Sequence, residues 1–118
     1  MSEKNDLREK VNYILLIIKD LVKNDKYIFI PRYKNDLTSM GYTLELVECT
    51  IQELTYKNYM KGPEFDEYHK NDVWVFGYND SERKIEIYIK FGIYEDERPI
   101  CIVSFHKADY KLKYFDWR

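Results

Sequence analysis

Residues 84–91, KIEIYIKF, and residues 100–106, ICIVSFH, decide the fold. Side chains alternate between the two faces of a strand, so Ile85, Ile87, Ile89 and Phe91 fall on one face and Glu86, Tyr88 and Lys90 on the other. The first face reads as core, and the second is offered to a ligand. A turn around Glu95 to Pro99 would join the two runs as an antiparallel hairpin. In even register Lys90 would face Ile102, Tyr88 would face Ser104 and Glu86 would face His106. That pairing would gather Glu86, Tyr88, Lys90, Ser104 and His106 within direct or diagonal cross-strand reach. An acid/base imidazole beside a phenol and an ammonium suits chemistry on a phosphodiester.

Outward from these strands, the chain has 118 residues, 45% hydrophobic and 34% charged, which suits a single domain spanning 1–118. No run of about 18 uncharged apolar residues occurs, and Met1 to Lys10 is charged. Neither a spanning helix nor a signal peptide is expected, and the reading places the protein in the cytoplasm. Cys49 and Cys101 read as two small buried thiols rather than a disulfide framework. No metal-ligand spacing appears, so neither metal nor other cofactor is expected. The net charge of -2 argues against coating nucleic acid by bulk electrostatics. Any nucleic acid would meet a local patch: Lys57 and Lys61, or His106, Lys107, Lys111 and Lys113 interleaved with Tyr110 and Tyr114. The plainer reading of that basic tail is a solvated surface.

Toward the N-terminus, Leu7, Val11, Ile14, Leu15, Ile18, Leu21 and Val22 recur at helical spacing, with Ser2 or Asn5 as N-cap and Asn24 as a stop. Tyr27 to Ile30 is a short β-prone run closed by Pro31, and Leu37 to Met40 a brief helical piece ended by Gly41. Leu44, Val47, Ile51 and Leu54 form a second apolar stripe behind Thr43 as cap. From Thr55 the periodicity breaks, and Lys61, Gly62, Pro63 and Glu64 predict a loop. Val73 to Phe76 predict a strand, and Asn79, Asp80 and Ser81 a turn. Helices followed by an antiparallel meander give an α+β fold, with N-terminal helices packed on one face of a C-terminal antiparallel β-sheet.

Among groups able to do chemistry, His106 comes first, because imidazole ordinarily titrates near about 6.5 and exchanges protons at cellular pH. His69, with Asp66, Glu67 and Asp72, suggests either a weak cation site or a solvated loop. Tyr88 and Lys90 make either a polar sheet surface or part of a site. Lys61 precedes Gly62 and Pro63, where glycine permits close approach of a ligand to the backbone. Trp74 and Phe76 read as packing rather than base-stacking rings, and Ser104 as a strand-interior hydroxyl. Phosphate-cradling glycine loops, HExxH, CxxC and nucleophile-elbow serines are missing from the sequence.

The pieces Leu54-Thr55, Tyr59-Met60-Lys61-Gly62-Pro63-Glu64, Val73-Trp74-Val75-Phe76-Gly77, Ile87-Tyr88-Ile89-Lys90 and Val103-Ser104-Phe105-His106 together resemble the MqsR-type toxins of bacterial toxin-antitoxin modules. The likeness runs from about Lys34 to Ala108, and the first helix matches only in kind. It implies a RelE-like fold and a metal-independent messenger RNA endonuclease silenced by a cognate antitoxin. The family's lysine after the middle helical region matches Lys61, its tyrosine in the central strand matches Tyr88, and its basic residue after Ser-Phe in the last strand matches His106. Lys90 also matches a strand lysine, whereas a glutamine after the strand tryptophan falls on Val75.

On this reading a deprotonated 2′-hydroxyl attacks the adjacent phosphorus. His106 serves as acid or base, Lys61 and Lys90 stabilise phosphate charge, and Tyr88 positions the phosphate or the hydroxyl. Glu86 orients His106 or acts as base. Lys90, Glu86, Tyr59 and Lys107 contact the RNA, and Tyr56, Tyr59, Tyr110 or Tyr114 stack bases. The expected partners are single-stranded mRNA and a cognate antitoxin, with DNA touched only through the antitoxin and no membrane. Two rivals stand beside this reading: a non-catalytic module that keeps the fold and binds RNA or protein, which Val75 favours, and a small enzyme acting on another phosphate ester.

Overall fold

Helix α1 (Glu3–Lys23) begins where the Ser2 hydroxyl accepts the Asn5 backbone N–H at 3.1 Å, and it stops at Asn24. Between those ends the helical period turns Val11, Leu15, Ile18 and Val22 inward. The computed structural model describes residues 2–29, 34–67, 71–94 and 100–118, with side chains from residue 37 onward in the second segment. His69, Ile30, Pro31 and the expected turn at Glu95 to Pro99 lie outside the described residues.

After α1 come β1 (Tyr27–Phe29), α2 (Lys34–Met40) and α3 (Leu44–Glu53). Gly41, at φ +77°, ends α2 in the left-handed conformation that glycine adopts without a Cβ clash. Thr43 then starts α3 by accepting the Leu46 N–H on its hydroxyl at 3.2 Å. That helix buries Val47 and Ile51, while Leu44 stays exposed. Cys49, expected inside, is also exposed on α3, and Cys101 is half-buried; neither is bonded to the other.

Four further strands follow: β2 (Tyr59–Asp66), β3 (Asn71–Asp80), β4 (Ile85–Ile93) and β5 (Ile100–Lys107). The sheet order is β1-β5-β4-β3-β2. Strands β2 to β5 pair antiparallel, and β1, contributed by the helical half, adds to β5 in parallel with Tyr27 opposite Ile100. The α+β arrangement expected from the sequence is the one that forms. Phe76, Ile89, Phe91, Ile102 and Phe105 on one sheet face share a buried cluster with Val11, Ile18, Val47, Ile51 and Leu54 from the helices. Each such side chain contributes about 1.5–3 kcal/mol on burial. Trp74 and Phe76 belong to this cluster, as expected.

Two expectations are corrected. Residues 61–64 are not a loop but the middle of β2, which pairs with β3 through register shifts between Tyr59 and Lys61 and between Lys61 and Glu64. Gly62, at φ +128°, and Pro63, which has no N–H, fit there because β2 is an edge strand with bulges. The hairpin register also differs from the even pairing. Tyr88 stands opposite His106 and Lys90 opposite Ser104, but Phe91 stands opposite Ile102, so Val103 is an extra residue in β5. In an unbulged strand Ile102 and Phe105 would point to opposite faces. The bulge lets both reach the core, where each is fully buried.

Beyond β5 the chain turns back over the sheet. The Ala108 N–H donates to the Glu86 carbonyl at 2.8 Å, and the Phe115 N–H to the Tyr59 carbonyl at 3.0 Å. Phe115 and Trp117 then pack against the Tyr59 ring at centroid distances of 5.7 and 5.8 Å. Among the described residues no helix is long and apolar enough to cross a membrane.

Candidate active site on the outer sheet face

Residues directly opposite in an antiparallel sheet share a face. The observed register therefore lays out rows on the side away from the helices. One row runs Lys61, Val75, Lys90, Ser104 across β2 to β5. The next runs Gly77, Tyr88, His106, and beyond it Asn79 pairs with Glu86.

Tyr88 and His106 form the centre. Their rings stack with centroids 5.3 Å apart and planes 23° from parallel. Nδ1 of His106 lies 2.9 Å from the Lys107 carbonyl oxygen. A carbonyl only accepts, so this contact places a proton on Nδ1 and makes Nε2 the position where the ring gains or loses one. Lys90 sits in the neighbouring row, diagonal to His106, with its stem half-buried. Val75, 1% exposed, lies directly between Lys61 and Lys90.

The other expected site residues are placed differently. Lys61 is on the far edge strand, three inter-strand spacings or roughly 14 Å from β5, and its ammonium pairs with Glu64 at 3.5 Å. Glu86 does not face His106, because the shifted register moves it one row further. Its carboxylate accepts instead from the Leu112 backbone N–H at 3.3 Å and the Tyr114 hydroxyl at 3.2 Å. Burial, reinforced by the Glu86 charge and hydrogen bond, pushes the Tyr114 phenol up to about 12. Lys107 pairs with Ile87, a core residue, and so leaves the sheet on the face opposite His106. Tyr59 is 3% exposed and enclosed by Trp74, Phe76, Phe115 and Trp117, so its ring has no face for a base. Tyr56 packs edge-on against Trp117 at 5.4 Å. Of the tyrosines proposed to stack bases, Tyr110 remains openly exposed, at 85%.

The sequence reading named the lysines and tyrosines of the tail as a patch but missed that the tail folds back to wall the site. Residues 109–113 form one wall of a cavity of about 370 Å³, whose other walls come from Met60, Tyr88, His106 and Ala108. Gly77 makes room for it: a Cβ there would stand 2.7 Å from Leu112 Cδ1 and 2.9 Å from Tyr114 Cε1. A signal was present, since in 111–114, KLKY, lysines alternate with Leu112 and Tyr114 as a half-buried extended segment would. The half-buried Leu112 and Tyr114 face the sheet, and Lys111 and Lys113 are exposed.

A second cavity, of about 280 Å³, lies between α3 and β3. Its buried carboxylate is already engaged: the Tyr42 hydroxyl donates to Asp80 at 2.6 Å, and Arg83 bonds the same carboxylate at 3.2 Å. The outer-face cavity is therefore the better site, because the stacked phenol and imidazole open into it. Among the described residues no group of three or more His, Cys, Asp or Glu is placed to hold a metal ion.

Comparison with known proteins gives one family: the model described as motility quorum-sensing regulator, toxin of MqsA, matches residues 10–107. No curated protein and no solved structure matches.

Proposed function

This chain belongs to the MqsR toxin family, and from that premise we propose that it is a metal-independent endoribonuclease acting on single-stranded messenger RNA in the cytoplasm. Membership makes it a toxin of a toxin-antitoxin pair, with an antitoxin as partner. The observation that carries the proposed chemistry is the direct pairing of Tyr88 with His106 in one cavity, with Lys90 in the adjacent row.

The reaction forms a bond between a 2′-oxygen and the adjacent phosphorus and breaks the bond from phosphorus to the 5′-oxygen. The 2′-hydroxyl proton passes to solvent, and His106 Nε2 delivers a proton to the leaving 5′-oxygen. A 2′,3′-cyclic phosphate and a 5′-hydroxyl remain. Lys90 stabilises charge on the phosphoryl oxygens, and the Tyr88 hydroxyl positions the phosphate. Lys61 grips the RNA backbone two strands from Lys90 rather than touching the reacting phosphate. Glu86, held by the tail, is assigned no proton transfer.

Purified protein incubated with a defined RNA in the presence of a chelator should release fragments with cyclic-phosphate and 5′-hydroxyl ends. His106→Ala should slow cleavage by about 10²–10⁴-fold, the usual contribution of a positioned acid or base, and Tyr88→Phe should slow it less. A requirement for a divalent ion would remove the mechanism while leaving the family and fold. Uncut RNA from a folded wild type would favour the second reading, a binding module. Val75 supports that reading, since it puts an apolar side chain between Lys61 and Lys90.

A further inference from the structure

We propose that residues 109–113 complete a subsite for one nucleobase beside the reacting phosphate, and that Asp109 selects bases carrying an exocyclic amine over uracil. The inference rests on the ribonuclease reading of the neighbouring Tyr88 and His106, and it concerns a segment beyond the matched residues 10–107.

The cavity is the right size and chemistry for a single base. At about 370 Å³ it lies at the small end of ligand pockets, roughly 300–1,000 Å³, which suits one planar ring system. Met60, Ala108 and Leu112 give apolar walls, and the Tyr88 and His106 pair gives an aromatic surface against which a base stacks. Among the described residues Asp109 is the one carboxylate lining this cavity. A carboxylate only accepts hydrogen bonds, so it pairs with the exocyclic amine of cytosine, adenine or guanine, whereas uracil carries acceptors at its exocyclic positions and offers only its ring N3–H, flanked by O2 and O4 that repel the charge. Lys111 and Lys113, exposed at the rim, hold flanking phosphates, which positions the chain without reading its sequence.

The wall is a built feature. Gly77 offers no side chain where Leu112 and Tyr114 lie down. Glu86 receives both the Leu112 N–H and the Tyr114 hydroxyl, and the Phe115 N–H bonds the Tyr59 carbonyl just beyond. With the Ala108 N–H bonded to the Glu86 carbonyl on the other side, these ties fix both flanks of the wall while Asp109 and Tyr110 remain open to solvent.

The test uses 2′-deoxy trinucleotides that differ only in the central base (A, C, G or U), which bind but lack the attacking hydroxyl. The full chain should bind the three amine-bearing oligonucleotides about tenfold more tightly than the uracil one, the discrimination expected of a single charged hydrogen bond. Asp109→Asn, whose amide both donates and accepts, should bring the four within about threefold of one another. Ala108→Leu, which fills the cavity, should weaken all four. Thermal denaturation checks that each variant is folded, and exposed Asp109 makes its substitution safe for the fold. Equal wild-type affinity for the four bases, or a preference unchanged by Asp109→Asn, overturns the subsite. RNA that is cut despite that result leaves the ribonuclease reading standing. Base-selective binding without cleavage does the reverse.

Discussion

Gly77→Ala is the sharpest perturbation of the outer face. Ordinary carbon contacts lie at about 3.5–4.0 Å, whereas the new methyl would stand 2.7 Å from Leu112 Cδ1 and 2.9 Å from both Cε1 and the hydroxyl oxygen of Tyr114. Something must move by about 1 Å. Strand β3 is held on both sides, with Gly77 opposite Tyr88 on β4 and its carbonyl accepting from Asn58 Nδ2 at 2.9 Å. The tail yields instead, and with it go the two hydrogen bonds to Glu86, each worth about 1 kcal/mol net. Replacing glycine in a strand interior returns about 0.5–1 kcal/mol of backbone entropy. The balance is a loss of about 1–1.5 kcal/mol, or roughly 5 °C in Tm for a domain of this size. Calorimetry should show that drop, and hydrogen exchange should show faster exchange confined to residues 109–116. Adding Leu112→Ala, which removes one of the clashes, should restore part of the Tm. An unchanged Tm with unchanged tail exchange would refute the placement of the tail against Gly77.

Alkali should loosen the tail. The Tyr114 phenol is raised from its ordinary value near about 10 to about 12, so the folded state holds the proton more tightly. Its stabilisation is complete below the unfolded value and is lost as pH rises through the folded one. Wild-type stability between those values should therefore fall more steeply than that of Tyr114→Phe in urea titrations, and parallel slopes would discredit the Glu86 bond. Tyr78, raised to about 12 by its bond to Glu53, adds the same slope to both proteins. Acid acts at the other cavity. The Tyr42 hydroxyl first, and then Arg83, hold the Asp80 carboxyl below its ordinary value against the cost of burial. The resulting stability is present above the unfolded carboxyl value and disappears as pH falls through the lower folded one. Asp80→Ala should cost about 2–4 kcal/mol at pH 7 and much less at pH 2. An equal cost at both pH values would show that Asp80 acts by packing alone.

Local signals made the helices and two strands legible. The Ser2 cap with its apolar stripe, the Thr43 cap and the strict alternation from Ile85 to Phe91 each specify an element without tertiary help. The outward direction of Tyr88 and Lys90 followed from that alternation alone. Which residues stand opposite them did not, because the bulge at Val103 sits inside a run, 100–105, with few polar residues to mark its faces. The observed pairing is offset by two residues from the even register, one of them supplied by the bulge, which exchanges the partner of Tyr88 from Ser104 to His106 and removes Glu86 from the imidazole. Strand β2 was hidden for the opposite reason: Gly62 and Pro63 are local turn signals, and only an edge position beside β3 makes them compatible with pairing. The burial of Tyr59 depends on Phe115 and Trp117 arriving from the far end of the chain, which no local window contains.

Two carboxylates carried by the strands of the outer face, Glu64 and Glu86, have opposite energetic standing, and this difference governs where an RNA phosphate settles. Glu64 pairs with Lys61 at 3.5 Å, but both side chains are more than half exposed, at 55% and 56%. Such pairs contribute about 0–1 kcal/mol, so a phosphate displaces Glu64 at little cost and Lys61 is in effect an available cation. Glu86 is bound by a backbone N–H and by a phenol whose titration is raised first by burial and then by the carboxylate's own charge. Removing it from those donors would leave two groups unsatisfied and would lift the tail from Gly77. Glu86 is thus committed to architecture, while Glu64 on the edge strand guards a lysine only weakly. The anion is drawn along the row of Lys61 and Lys90, over the apolar Val75 that lies between them. It arrives diagonal to His106 without meeting the Glu86 carboxylate, which the tail holds.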